Sequence, residues 1–322
     1  MKPVFFFLLL FSLPAFADSN PKVEEFIRHM ADTQGFDAVE LRRVLAKARK
    51  REDIIDRISK PAERTLNWSQ YSRIFLTGKR TNQGVTFWKR NRQSLEKAEA
   101  TYGVPPQFVV AIIGVETFYG RIAGKDKVLD ALYTLAFHYP KRSKFFTAEL
   151  EKFLILAREE NLDPAKPRGS YAGAMGLGQF MPSSYLAYAV DFDGDGKRDI
   201  WNNETDAIGS VANYFARHGW QKGLPVTALL KSVPANPSKY LQAGLKPKFT
   251  LGEFRKAGMV VPPALDDDLK SALIELKTNA GPEYWAGLEN FYVITRYNHS
   301  EMYAMAVYQL SERIRELFGS NN

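Results

Sequence analysis

The sequence predicts a mainly α-helical protein (α+β) carrying a small strand-bearing insert, and three observations predict it. Apolar residues recur at helical spacing through most of the chain. Those signals stop between residues 225 and 282, where seven of the 17 prolines fall between short apolar runs. There is no cysteine, so the fold must rest on an apolar core rather than on disulfides.

The amino terminus begins Met1-Lys2-Pro3, runs apolar over residues 4–13 and reaches Ala15-Phe16-Ala17. A charged start, a short apolar stretch and an Ala-x-Ala end describe a secretory signal, residues 1–17, cleaved after Ala17. A membrane anchor is the competing reading, but it needs about 20 apolar residues. Cleavage removes one Lys and no acid, lowering the formal charge from +8 to +7. An exported basic protein meets anionic polymers of wall or membrane surface rather than nucleic acid, unless the charge serves solubility alone. Without a cysteine to carry lipid, no stable membrane anchor is expected. The four histidines include no His-x-x-x-His pair, which argues against zinc.

Residues 18–100 read as an N-terminal helical domain. Asp37 followed by Glu40 forms a cap signal, and Leu41, Val44, Leu45 and Ala48 recur at helical spacing. The charged run 47–57 reads as a solvated face, ended by the break at Pro61. Pro105-Pro106 opens a helix that is apolar on every side as far as Glu116, so it should be central. Helices follow over 128–137, 145–160 and 207–218, the last stopped by Gly219. Tyr303, Val307, Leu310, Ile314 and Leu317 mark a final helix. The expected parts are therefore 18–100, a core of 101–224 plus 285–322, and a small β-containing domain over 225–284.

Four groups of residues can carry chemistry. Glu116 lies in a helix so apolar that desolvation should favour its protonated form, as a general acid requires. The alternative is a Glu that swings out to pair with Arg121 or a nearby Lys. The Gly-rich run 169–178 with Gln179 lets backbone approach a ligand, and Ser170 and Gln179 offer hydrogen bonds to sugar hydroxyls. A phosphate cradle lacks its Gly-Lys-Ser/Thr, and a tight structural turn is the other reading. Tyr297, Asn298 and Tyr303 suit sugar recognition, although Tyr303 equally suits a core. Finally, Asp191, Asp193, Asp195 and Asp199 occupy positions 1, 3, 5 and 9 of an EF-hand-like loop with Gly196 at position 6. Lys197 would contribute its backbone carbonyl. Asn202 stands where a closing Glu is expected, so Glu204 or Asp206 must close the loop, or the run is only an acidic turn.

Residues 112–117, 173–184, the Asp191 loop with 206–215, and 295–298 together resemble the lytic transglycosylase B family of bacterial cell walls, in order over about residues 20–318. The resemblance implies a lysozyme-like helical core. It also implies cleavage of the MurNAc–GlcNAc β-1,4 bond of peptidoglycan with release of 1,6-anhydro-muramoyl ends. Glu116 falls on the family's single acid/base. Ser170, Gln179, Phe180, Tyr297, Asn298, Tyr303 and Tyr71 fall on its sugar groove, while Lys141 and Arg142 fall where basic residues face the peptide stem. The acidic loop matches a Ca²⁺ site closed by Asp206, structural because it lies far in sequence from Glu116. Peptidoglycan strands would be the partner and the periplasm the compartment. Two rivals remain at this stage: a muramidase that uses water, and a Ca²⁺-dependent wall-binding protein without chemistry.

Overall fold

Among the described residues, hydrogen-bonding side chains start several helices, and glycine or a left-handed residue ends three of them. The computed structural model describes residues 20–59 and 66–320, so the 1–17 signal and the Pro61 break lie outside the described residues. Two compact units result, one ending at Lys47 and the other beginning at Ala48. In the first, α1 (Pro21–Gln34) is capped by the Asn20 side chain and ends at Gly35, φ 66°. Its neighbour α2 (Ala38–Leu45) is capped by Asp37, which accepts the Glu40 N–H. Leu41 and Leu45 are buried on it as expected, while Ala48 falls past its end.

The second unit opens with α3 (Glu52–Ser59), α4 (Trp68–Phe75), α5 (Gly78–Arg90) and α6 (Arg92–Tyr102). They lead to α7 (Pro106–Thr117), on which every residue except Gln107 and Glu116 is buried, so this helix is interior on nearly all sides. Only glycine fits at 114, because a Cβ there would lie 2.5 Å from the Tyr119 hydroxyl. Next come α8 (Val128–His138) and α9 (Ser143–Glu159), packed on each other, then α10 (Pro182–Tyr188) and α11 (Glu204–Arg217). A short antiparallel pair, β1 (Asp126–Lys127) with β2 (Arg168–Gly169), ties the start of α8 to the Gly-rich run.

The charged run 47–57 is not simply a solvated face. Arg51 and Arg57 reach the buried Asp126 at 3.3 and 2.9 Å, and the Arg57 guanidinium lies 4.5 Å over the Tyr171 ring. A buried carboxylate requires such partners.

The insert forms one antiparallel sheet from β3 (Thr227–Leu229), β4 (Phe249–Thr250), β5 (Lys270–Thr278) and β6 (Gly281–Leu288), in the order β3-β6-β5-β4. With α12 (Ser238–Leu241) and α13 (Leu251–Lys256) it builds its own apolar cluster, including Leu251, Phe254, Leu273 and Leu288. The chain then returns to the helical core through α14 (Glu289–Tyr297) and α15 (Glu301–Ser320), the latter packed on α4, α5 and α7. The mainly α architecture with a small antiparallel β part is the expected one. Among the described residues no helix is long and apolar enough to cross a membrane.

Candidate active site

Glu116 is the penultimate residue of α7, half-buried at the end of an otherwise buried helix. The helix stops there because Phe118, Tyr119 and Gly120 all take positive φ values of 51°, 59° and 83°. Two aromatic residues in that region store strain, which surrounding bonds must hold. The Tyr119 hydroxyl donates to the Arg80 carbonyl at 2.9 Å, and the Gly120 N–H donates to Thr117 Oγ1 at 3.0 Å. Arg121, the alternative partner for Glu116, instead donates to Gln83 Oε1 at 2.6 Å.

The first turn of α15 supplies Tyr303, whose hydroxyl donates to Glu116 Oε1 at 2.5 Å. Burial first, and the Glu116 charge next, hold the Tyr303 phenol well above its ordinary pKa, so it stays a donor. Tyr297, at the end of α14, donates to the Gly178 carbonyl at 2.6 Å. Its phenol is raised by the same two causes, so it too lies within the field of Glu116. Tyr71 is buried, stacks on Trp68 and adds to the rise at Tyr303. Phe180 is buried against Tyr214 and Tyr297, each 5.9 Å away between ring centroids. Asn298 is exposed just beyond α14. Arg142 lies farther along the chain on a single helical turn, Pro140–Arg142, with its guanidinium 4.3 Å over the Phe145 ring; Lys141 beside it is exposed.

The Gly-rich run is a self-bonded loop. Ser170 Oγ accepts the Ala172 and Ala174 N–H groups. Gln179, at φ 51°, donates its amide to the Ala123 and Gly176 carbonyls. Backbone N–H groups of Ser170, Met175, Leu177, Gln179 and Phe180 all donate to carbonyls within the protein, which is the opposite of a phosphate cradle. Close approach demands glycine at 124, where a Cβ would meet the Gly169 oxygen at 2.0 Å. Thr117 joins the loop to α7 by donating to the Leu177 carbonyl at 2.9 Å. Sequence reasoning missed Thr117, although its place beside Glu116 was a usable signal.

It also missed how the other buried acids of this region are answered. Asp126 has its two arginines, Asp130 accepts the Arg49 N–H, and Glu149 accepts both the N–H and O–H of Ser183. Each is committed to holding elements in place.

The acidic loop brings carboxylate oxygens of Asp191, Asp193 and Asp206 within 4.8 Å of one another. Asp191 accepts the Gly194, Asp195 and Gly196 N–H groups, which hold its carboxyl below the usual range against a raising effect of burial. Asp206 is fully buried at the third position of α11 and accepts the Phe192 and Asp199 N–H groups. Desolvation raises its pKa. Glu204 turns the other way, to Arg90 at 2.5 Å and Asn91 at 2.6 Å, so Asp206 is the late carboxylate that faces the loop. Asp195 and Asp199 lie outside the three-carboxylate cluster; they accept the Lys197 N–H and the Trp201 and Asn202 N–H groups, respectively. The donor set fits a hard cation: all oxygen, with one carboxylate fully buried.

Comparison with known proteins accords with this geometry. The Transglycosylase SLT domain family matches residues 18–312. Membrane-bound lytic murein transglycosylase B of Escherichia coli K12 is 43% identical over 306 residues, covering 92% of this chain and 83% of the relative. The crystal structure of soluble lytic transglycosylase SltB1 from Pseudomonas aeruginosa superposes with TM-score 0.88 at 49% identity, covering 93% of this chain and 100% of that one. The Escherichia coli lytic transglycosylase Slt35 in complex with calcium gives 0.85 at 43% identity, covering 93% and 94%. SltB3 from Pseudomonas aeruginosa, solved with NAG-NAM-pentapeptide, gives 0.81 at 31%, covering 92% and 79%. This chain belongs to the Transglycosylase SLT domain family and is an enzyme of the lytic murein transglycosylase class.

Proposed function

We propose that the chain cleaves the MurNAc–GlcNAc β-1,4 bond with one carboxyl group, Glu116, and closes the muramoyl sugar on itself. The observation that carries this is the Tyr303 hydroxyl bonded to Glu116 Oε1 at the end of a buried helix. That bond fixes one oxygen, which orients the carboxyl group toward the glycosidic oxygen. Protonated Glu116 gives its proton to that oxygen as the C1–O bond breaks, while the sugar's own N-acetyl carbonyl stabilises the electron-poor carbon. The carboxylate then takes the proton of the 6-hydroxyl as O6 attacks C1, which restores the acid. Most glycosidases place a second carboxylate beside the first. Here the commitment of Asp126, Asp130 and Glu149 to protein partners supports the single-acid route.

Tyr297 and Asn298 line the sugar groove by a ring and an exposed amide, buried Tyr71, Phe180 and Tyr303 back it from behind, and Ser170 and Gln179 shape its loop. Arg142 and Lys141 are exposed cations suited to carboxylates on a peptide stem. A relative's complex with NAG-NAM-pentapeptide supports a peptide-bearing strand as substrate. Calcium binds at Asp191, Asp193 and Asp206, with Asp195, Asp199 and the Lys197 carbonyl completing the shell, and its role is structural. The parts proposed are an N-terminal helical domain over 18–100, a core of 101–224 with 285–322, and the β-bearing 225–284. Murein places the working enzyme in the periplasm. Glu116→Gln should abolish muropeptide release from purified sacculi while the protein still co-sediments with them. Substantial release by that variant would remove Glu116 from the chemistry.

A further inference from the structure

Two acid-free stretches of the chain meet beside the active site and have no role in the reading above. Residues 66–95 hold six Lys or Arg and no Asp or Glu, and residues 117–125 add Arg121 and Lys125, again without an acid. They converge on Phe118. Its half-exposed ring has Arg80 at 5.1 Å, Arg121 at 5.7 Å and Lys79 at 5.8 Å from its centroid. Arg80 also lies 5.1 Å over the Phe75 ring and donates to the Ile74 carbonyl, which ties the end of α4 to this cluster. The Ile122 N–H donates to the Thr117 carbonyl at 2.8 Å, folding the chain back at Phe118. Arg313 of α15 extends the basic rim by donating to the Leu76 carbonyl at 2.8 Å. Ile74 and Ile122 are 48% and 68% exposed, although both are branched aliphatics. Among the described residues, Lys79, Arg80, Arg121 and Arg313 pair with no carboxylate, whereas Arg90 and Arg92 of the same acid-free run pair with Glu204 and Glu96.

We infer that this face docks the protein on a lipid surface carrying anionic headgroups. A single exposed isoleucine needs no explanation. Two of them among unpaired cations, with no acid in either stretch, match an interfacial surface. Aliphatic groups enter the headgroup layer while Lys and Arg reach its phosphates. A hydroxylated glycan strand takes rings and amides rather than bare aliphatic side chains. Such docking is reversed by salt, because much of its attraction is electrostatic. Phe118 stands two residues from Glu116, so the docked protein holds its active site at the bilayer surface.

Co-sedimentation with vesicles tests it, using the secreted form, residues 18–322, so that the apolar leader takes no part. The wild type should bind phosphatidylglycerol vesicles at low salt, release them at about 0.5 M salt and ignore zwitterionic phosphatidylcholine vesicles. Lys79→Gln combined with Arg121→Gln should weaken partitioning about 25-fold, or about fivefold per cation. Ile122→Ser should weaken it about tenfold. Each variant should cleave soluble glycan strands as the wild type does, which also shows that it is folded. Equal binding to the two vesicle types, binding to neither, or folded variants that partition like the wild type would overturn the docking. Variants that keep vesicle binding but raise KM on soluble strands would overturn it too, and would hand the face to the glycan. Vesicle binding needs no cleavage, so failure of the glycan reading would leave this test standing.

Discussion

The loop at 169–180 and the loop at 191–206 are both glycine-rich turns between helices, yet they are held by different forces. In the first, protein atoms answer protein atoms: the Ser170 hydroxyl, the Gln179 amide and the Thr117 hydroxyl all bond to backbone, and the Arg51–Asp126–Arg57 cluster sits at its base. In the second, three carboxylates converge within 4.8 Å, one of them fully buried, and backbone N–H groups offset only part of their repulsion. The contrast teaches a division of labour. The loop beside Glu116 is held rigid by protein atoms alone, so its geometry does not depend on ion supply. A scaffold loop away from the chemistry can delegate its stability to a cation.

That contrast can be broken or sharpened experimentally, beginning with the largest effect. Asp126→Ala strands two arginines beside Gly169 and should cost about 3 kcal/mol in denaturant unfolding, since breaking a buried pair is expensive even when the cations are partly exposed. It should also speed amide exchange in 169–180. A loss under about 1 kcal/mol would mean the Gly-rich loop does not lean on this cluster. Chelating calcium should lower stability by about 2.7 kcal/mol relative to a hundredfold excess over Kd, while cleavage at room temperature persists. Asp206→Asn should abolish that calcium response in the melting curve; an unchanged response would remove Asp206 from the site. Tyr303→Phe acts on the other loop's side, through the aim of Glu116. A roughly tenfold fall in kcat with KM nearly constant is expected, and a change confined to KM would make Tyr303 a binding residue only.

The smallest effect concerns His218, which stacks on Tyr214 at 4.0 Å behind Tyr297. Burial is the main cause lowering its pKa below the ordinary 6.5, so unfolding adds protons. Its contribution to stability is full above pH 6.5 and is lost as pH falls through the lower folded value. His218→Gln should flatten the acid side of the stability curve; an unaltered slope would show that this ring does not titrate with folding.

Much of this was legible in the sequence because it is local or periodic. The helix carrying Glu116 announced itself by apolar residues on every side, and the acidic loop by its one-three-five spacing. The strand-bearing insert followed from its prolines. What stayed hidden is long-range. Asp126 meets Arg57 and Arg51 across 69 and 75 residues, and no spacing rule couples charges so far apart. The choice between Glu204 and Asp206 depended on where Asn203 starts α11, since the cap turns the third residue toward the loop and the first toward Arg90.

The central claim, one acid and a sugar that attacks itself, meets its most direct test in the mass spectrum of muropeptides released from purified sacculi. Products ending in anhydro sugars, about 18 Da lighter than hydrolysed ones, are the predicted result, because no water is consumed. Products carrying the added water, formed in step with enzyme turnover, would contradict it.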